Sequence, residues 1–120
     1  SMIGNGGLFN NADNKGSHTG NITVAAAGDV NIIGGQLDRS FAKIGNGGFD
    51  YDGNHSGNLE VASTSGAVNL VTTGGGVDSF AQIGNGGTSS TGTHTGEICV
   101  HAGTVVLLDS TALAPTTPTR

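Results

Sequence analysis

Apolar and polar residues alternate with period two through residues 21–26, where Ile22, Val24 and Ala26 fall on one face and Thr23 and Ala25 on the other. Such alternation marks a strand with one side against a core. The phase returns at Leu59 and Val61 and at Ile98, Val100 and Ala102, with Glu60 and Cys99 standing where Thr23 does. A second strand follows each time, with Val30 and Ile32, Val68 and Leu70, and Val105 and Leu107 pointing one way. A third, shorter strand is predicted over residues 41–44 and 80–83. Glycine pairs and Ser/Thr/Asn clusters lie between these segments, as turns require. No stretch carries a useful helical period.

The same residues come back along with the pattern. Ile-Gly-Asn-Gly-Gly stands at residues 3–7, 44–48 and 83–87, and His18, His55 and His94 each open a His-Thr/Ser-Gly segment after it. A third motif begins at Gly28, Gly66 and Gly103, and Ser-Phe-Ala-x-Ile closes at Ile44 and again at Ile83. Five identical residues occurring three times define a repeated unit of about 39 residues. The segment between Gly7 and His18 is longer than its counterparts before His55 and His94, which marks a variable loop on a fixed scaffold. Three strands per unit, each lying on its counterpart, predict an all-β fold: a parallel β-helix (β-solenoid) of three repeats. The units are about 3–43, 44–82 and 83–108, one rung per repeat, with equivalent residues ~4.8 Å apart. Ser1 and Met2 read as a tag remnant, and residues 109–120, with Pro115 and Pro118, as a Pro/Thr-rich tail or linker. The first unit has no Ser-Phe-Ala and the third stops after Leu108. The expectation is a piece of a longer array, whose bare ends favour end-to-end self-association.

Composition narrows the function. The chain has 23 Gly, no Trp, one Tyr and 11% charged residues, too little for a deep core of Leu and aromatics. Glycine at this level also fits disorder, but here it recurs at fixed places beside apolar positions. The net charge is -5, and Lys15, Arg39, Lys43 and Arg120 are the only Lys and Arg residues. No basic patch is available for nucleic acid or for electrostatic attachment to a membrane. No apolar run approaches the ~20 residues of a membrane span, so membrane insertion is not expected. A single cysteine, Cys99, forms no internal disulfide, which leaves export open.

Ser-Phe-Ala-Lys-Ile-Gly-Asn-Gly-Gly at 40–48 and Ser-Phe-Ala-Gln-Ile-Gly-Asn-Gly-Gly at 79–87 carry a resemblance, as do the Ser/Thr-Gly-Asn-Ile/Leu-x-Val and Gly-x-Val-x-Ile/Leu segments. From residue 3 to about 108 the chain resembles the repeats of filamentous-haemagglutinin-like large exoproteins, bacterial adhesins of the two-partner secretion type. The resemblance implies a generally right-handed β-helix, secretion to the bacterial cell surface, and a role in adhesion and virulence. A host-cell glycan or protein receptor is the implied partner. The secretion-signal domain of such proteins is not evident, so an internal shaft segment is implied, a rigid rod with loops such as 8–17 and 49–56 available for binding.

Several constellations bear on chemistry. His18, His55 and His94 share one slot, and a column of imidazoles could hold zinc; capping a turn is the preferred reading. Asp50, Asp52 and Asn54 resemble the start of a calcium loop, but His55 stands at the sixth position and Val61 where the closing Glu belongs. A solvated loop is preferred, and no cofactor is expected. Ile-Gly-Asn-Gly-Gly opens no helix and has no following Lys, unlike phosphate-binding loops. Asn5, Asn46 and Asn85 form a structural ladder of amides, with Phe41 and Phe80 as a second ladder. Cys99 and His101 share an outward face, opposite Thr23 with Glu60 and Ala25 with Ser63, a pairing taken as incidental. No Ser/His/Asp arrangement repeats and no carboxylate pair is set for glycoside cleavage, so an enzyme is not expected. The alternative to the adhesive shaft is a carbohydrate-active enzyme or a metal-binding module on a β-helix scaffold.

Overall fold

The computed structural model describes residues 1–6, 16–50 and 52–108, the last five by their backbone. The first repeat contributes β1 (Met2–Ile3), β2 (His18–Thr19), β3 (Ile22–Ala26) and β4 (Val30–Gly34). The second contributes β5 (Ala42–Ile44), β6 (His55–Ser56), β7 (Leu59–Ser63) and β8 (Ala67–Thr72). The third contributes β9 (Ala81–Ile83), β10 (His94–Thr95), β11 (Ile98–His101) and β12 (Thr104–Leu108). Among the described residues there is no helix, hence none long and apolar enough to cross a membrane.

These strands form four three-stranded parallel sheets, β1-β5-β9, β2-β6-β10, β3-β7-β11 and β4-β8-β12. Each strand therefore pairs with its own counterpart in the next repeat, and each repeat is one layer. The register is residue for residue: Ile3 with Ile44 and Ile44 with Ile83, Val24 with Val61 and Val61 with Val100. Parallel pairing places like on like, so identical motifs in successive repeats satisfy one another's backbone.

The core comes from the predicted phases. Ile32, Ala42, Ile44, Val61 and Val68 are buried together, with Ile22, Val24, Val30, Leu70, Ile83 and Val100 packed against them. Burial peaks in the middle layer, where Val61 and Val68 are 0% exposed. Phe41 and Phe80 stack with centroids 4.9 Å apart and planes 7° from parallel.

The structure departs from the sequence reading in four places. Each repeat supplies four strands rather than three, the extra one being the His-Thr/Ser pair. The first repeat has a counterpart of the third predicted strand despite lacking Ser-Phe-Ala, because Met2 pairs with Lys43. His101 lies in register with Ala62, which pairs with Ala25, so Ser63 is not its equivalent. The segment after Gly48 is no free loop: Phe49 is buried and lies 5.2 Å from the Arg39 guanidinium, while Asp50 and Gly53 donate backbone bonds to Thr88 and Thr91. Residues 7–15, the rest of the long first loop, and the tail 109–120 lie outside the described residues.

Shortening Val61, 0% exposed, opens a cavity between layers, and Val61→Ala is expected to cost about 2–3 kcal/mol. Val77→Ala, at a 65% exposed position, is expected to cost less than about 0.5 kcal/mol. Urea denaturation of the two variants beside the parent checks the contrast.

Candidate functional site

The two strictly repeated motifs, Ile-Gly-Asn-Gly-Gly and His-Thr/Ser-Gly, meet at one corner of every layer. At the centre, Asn46 is 0% exposed. Its Nδ2 donates to Gly20 O at 2.8 Å and Ser56 O at 3.0 Å, and its backbone N–H to Asn85 Oδ1 at 3.0 Å. Asn85 repeats the arrangement, with Nδ2 donating to Gly57 O at 2.9 Å and Thr95 O at 2.8 Å. Asn5 continues the column, its N–H and Nδ2 both donating to Asn46 Oδ1. The amides thus tie the end of one sheet to the short strands of another, across two layers.

The glycines beside them have separate tasks. Gly45, at φ 146°, lies so close to the layer above that a Cβ would strike the Gly84 carbonyl. Gly47, at φ 87°, clears the imidazole: a Cβ there would stand 2.7 Å from His55 Cδ2. The same contact recurs between Gly86 and His94.

The histidines are brought together as a stack. Ring centroids are 5.4 Å apart between His18 and His55 and 5.2 Å between His55 and His94, with interplanar angles of 24° and 1°. Zinc needs ligand atoms converging on one point, whereas stacked rings set theirs one above another at layer spacing. Among the described residues no group of three His, Cys, Asp or Glu is placed to hold a metal ion. The Asp50–Asn54 set is likewise engaged between layers. Asp52 Oδ1 accepts from Thr91 Oγ1 at 2.6 Å, Asn54 Oδ1 accepts from Thr93 N at 2.9 Å, and exposed Asp50 adopts φ 51°.

Two features were not foreseen. Lys43, outward in the alternation, is 2% exposed. Its Nζ donates to the Gly86 carbonyl and lies 3.4 Å from Gln82 Oε1. Burial lowers its pKa from 10.5 to about 8. The one hint in the sequence is that its column mates, Met2 and Gln82, are uncharged. The second feature is a shallow groove of about 340 Å³ on the outer face of β3-β7-β11, lined by Asn21, Thr23, Asn58, Glu60, Glu97 and Cys99. Asn21 Oδ1 accepts from Asn58 N and Asn58 Oδ1 from Glu97 N, at 2.9 and 3.1 Å, which fixes one wall. The exposed Glu60 and Glu97 carboxylates and the Thr23 hydroxyl complete it.

No known protein family, no curated protein and no solved structure matches the chain.

Asn46→Ala strands the Gly20 and Ser56 carbonyls and is expected to cost about 3 kcal/mol or more. Asn5→Ala, at an exposed position, should cost under about 1 kcal/mol, both read from denaturation midpoints.

Lys43 gives a pH signature. With the folded amine titrating near 8 and the unfolded one near 10.5, the unfolded chain holds the extra proton between those values. Stability therefore rises with pH across that window, and below pH 8 the burial penalty is fully present. Lys43→Met is expected to be more stable than the parent at pH 7 and to lack the rise, as denaturation at pH 7, 9 and 10.5 will register.

Proposed function

We propose that this chain is a β-solenoid shaft segment of a secreted or surface-displayed bacterial adhesin, and that the outer face of β3-β7-β11 meets a host-cell glycan. The observation that carries this reading is a division of labour among residues. The strictly repeated ones hold the layers together: the Asn5, Asn46 and Asn85 amides bond between layers, the glycines clear the passages, and the histidines stack. Among the residues that change from repeat to repeat, Thr23, Glu60 and Cys99 form one column that stands outside. A constant set of layer contacts beside a varied outward column is suited to a scaffold that presents a surface. The resemblance of residues 40–48 and 79–87 to haemagglutinin-type repeats points to the same role.

The groove suggests what kind of partner fits. Two carboxylates and a hydroxyl set on fixed strands are hydrogen-bonding groups for sugar hydroxyls, and the strand spacing holds them at regular intervals along the layers.

Glu60→Ala/Glu97→Ala removes both carboxylates from exposed positions. With each charged hydrogen bond worth about 1.5–3 kcal/mol, binding to glycan-bearing host cells should fall by tenfold or more, with an unchanged β spectrum. Binding equal to the parent's would remove the groove from the proposal. Absence of any cell or glycan binding by the parent chain would remove the adhesive role itself.

A further inference from the structure

Every strand pairing of the described residues joins copies of one motif in one register, and among those residues the first and third layers each leave one side of that pairing unfilled. Among the described residues, strands β1 to β4 and β9 to β12 have a strand neighbour on one side only. The apolar columns end there as well. Ile3 is 51% exposed, whereas Ile44, next in its column, is 2%; Ile98 is 49% exposed, whereas Leu59 is 1%. Each end thus presents strand edges together with a face that is core one layer further in, the combination that recruits another strand.

The two ends match. Ile3 pairs with Ile44 and Ile44 with Ile83, so Ile83 against Ile3 of a second copy repeats a pairing the chain already makes twice. Gly45 tolerates the Gly84 carbonyl because it has no side chain, and Gly84 offers Gly4 of another copy the same clearance. Asn5 N–H donates to Asn46 Oδ1 and Asn46 N–H to Asn85 Oδ1, so Asn85 N–H is the donor that Asn5 Oδ1 of the next copy suits. The exposed His94 ring meets His18 as His55 meets His94. Val100 and Val24 complete the apolar strip, each already paired with Val61.

We propose that the two end faces are complementary halves of one interface, so that copies of this chain add head to tail in the register of the internal repeats. The surfaces joined are different, so the contact is heterologous. Successive layers continue in one direction, and the product is an open filament rather than a closed ring. This inference rests on the stacking of the sheets and is independent of any receptor.

The exposed thiol of Cys99 supplies the test. Cys99 pairs with Glu60 and Glu60 with Thr23, so a head-to-tail joint sets Cys99 beside Thr23 of the next copy. At a strand spacing of ~4.8 Å that pair lies within disulfide reach. Thr23→Cys is therefore expected to give, on mild oxidation, a ladder of covalent multimers whose linked peptides contain residues 23 and 99. The parent chain and Thr23→Cys/Cys99→Ser, with one thiol each, should give no ladder. Sedimentation of the parent should show mass growing with concentration, and Ile3→Lys, which puts a charge on an already exposed end, should restore the monomer with an unchanged β spectrum. A monomeric parent at all concentrations overturns the proposal. So does a parent that is rapidly linked Cys99 to Cys99, since that reports like ends meeting, or an Ile3→Lys variant that still assembles.

Discussion

The amide of Asn46 fastens the end of one sheet to the short strands of another. Its side chain reaches the Gly20 and Ser56 carbonyls while its backbone is held by Asn85, so one residue connects three layers and two sheets. The strands it anchors, β2 and β6, have two residues each, as does β10, which Asn85 anchors in the same way. Strands that short are not stable alone, and a fixed corner is what lets them pair. A buried, fully bonded amide also discriminates sharply between registers, because a slip of one residue leaves polar groups unmatched in a dry site. The order of the following strands, β3, β7 and β11, starts from that fixed point.

The stack is built with little apolar depth. Its buried cluster is a thin row of Ile, Val and Ala, and much of the cohesion runs along the layers through side-chain bonds. Asn31 accepts from Asn69 Nδ2 at 2.7 Å, Asp29 from Ala67 N at 2.8 Å, and Asp38 from Val77 N at 2.8 Å. Asp29 and Asp38, between strands, cap the backbone of the repeat above, which is how a glycine-rich chain with few aromatics holds its turns in place. Dependence on neighbours is the other side of this economy. The outer layers keep core residues such as Ile3 and Ile98 partly wet, while Val61 and Val68 of the middle layer are fully enclosed.

The sheets could be read from the sequence wherever the alternation was long enough to have a phase. Ile22, Val24, Leu59, Val61, Val30 and Val68 all face the interior as period two requires. His18–Thr19 and its equivalents escaped as strands because two residues carry no period, although threefold recurrence of the motif marked the place. The extra length before His18 suggested a projecting loop at this place in every repeat, but length says nothing about whether the backbone of 50–54 pairs with the layer above. The shared slot of His18, His55 and His94 correctly implied closeness. Ring orientation, which separates a stack from a chelate, depends on the clearance at Gly47 and Gly86, a fact of three dimensions. Lys43 was hidden for a similar reason: alternation reports which side a residue takes, not whether another segment covers that side.

Lys43 also limits how alike neighbouring repeats can become. A layer that copied it would set a second ammonium ~4.8 Å from the first, a repulsion of about 3 kcal/mol at an effective dielectric of about 20. The chain instead sets Met2 on one side and Gln82 on the other. An uncharged neighbour on either side of Lys43 in this column is therefore a condition of stability. It also gives each layer an address: three perfectly identical repeats could exchange places during folding, whereas a single charged one has a single tolerable position between uncharged neighbours.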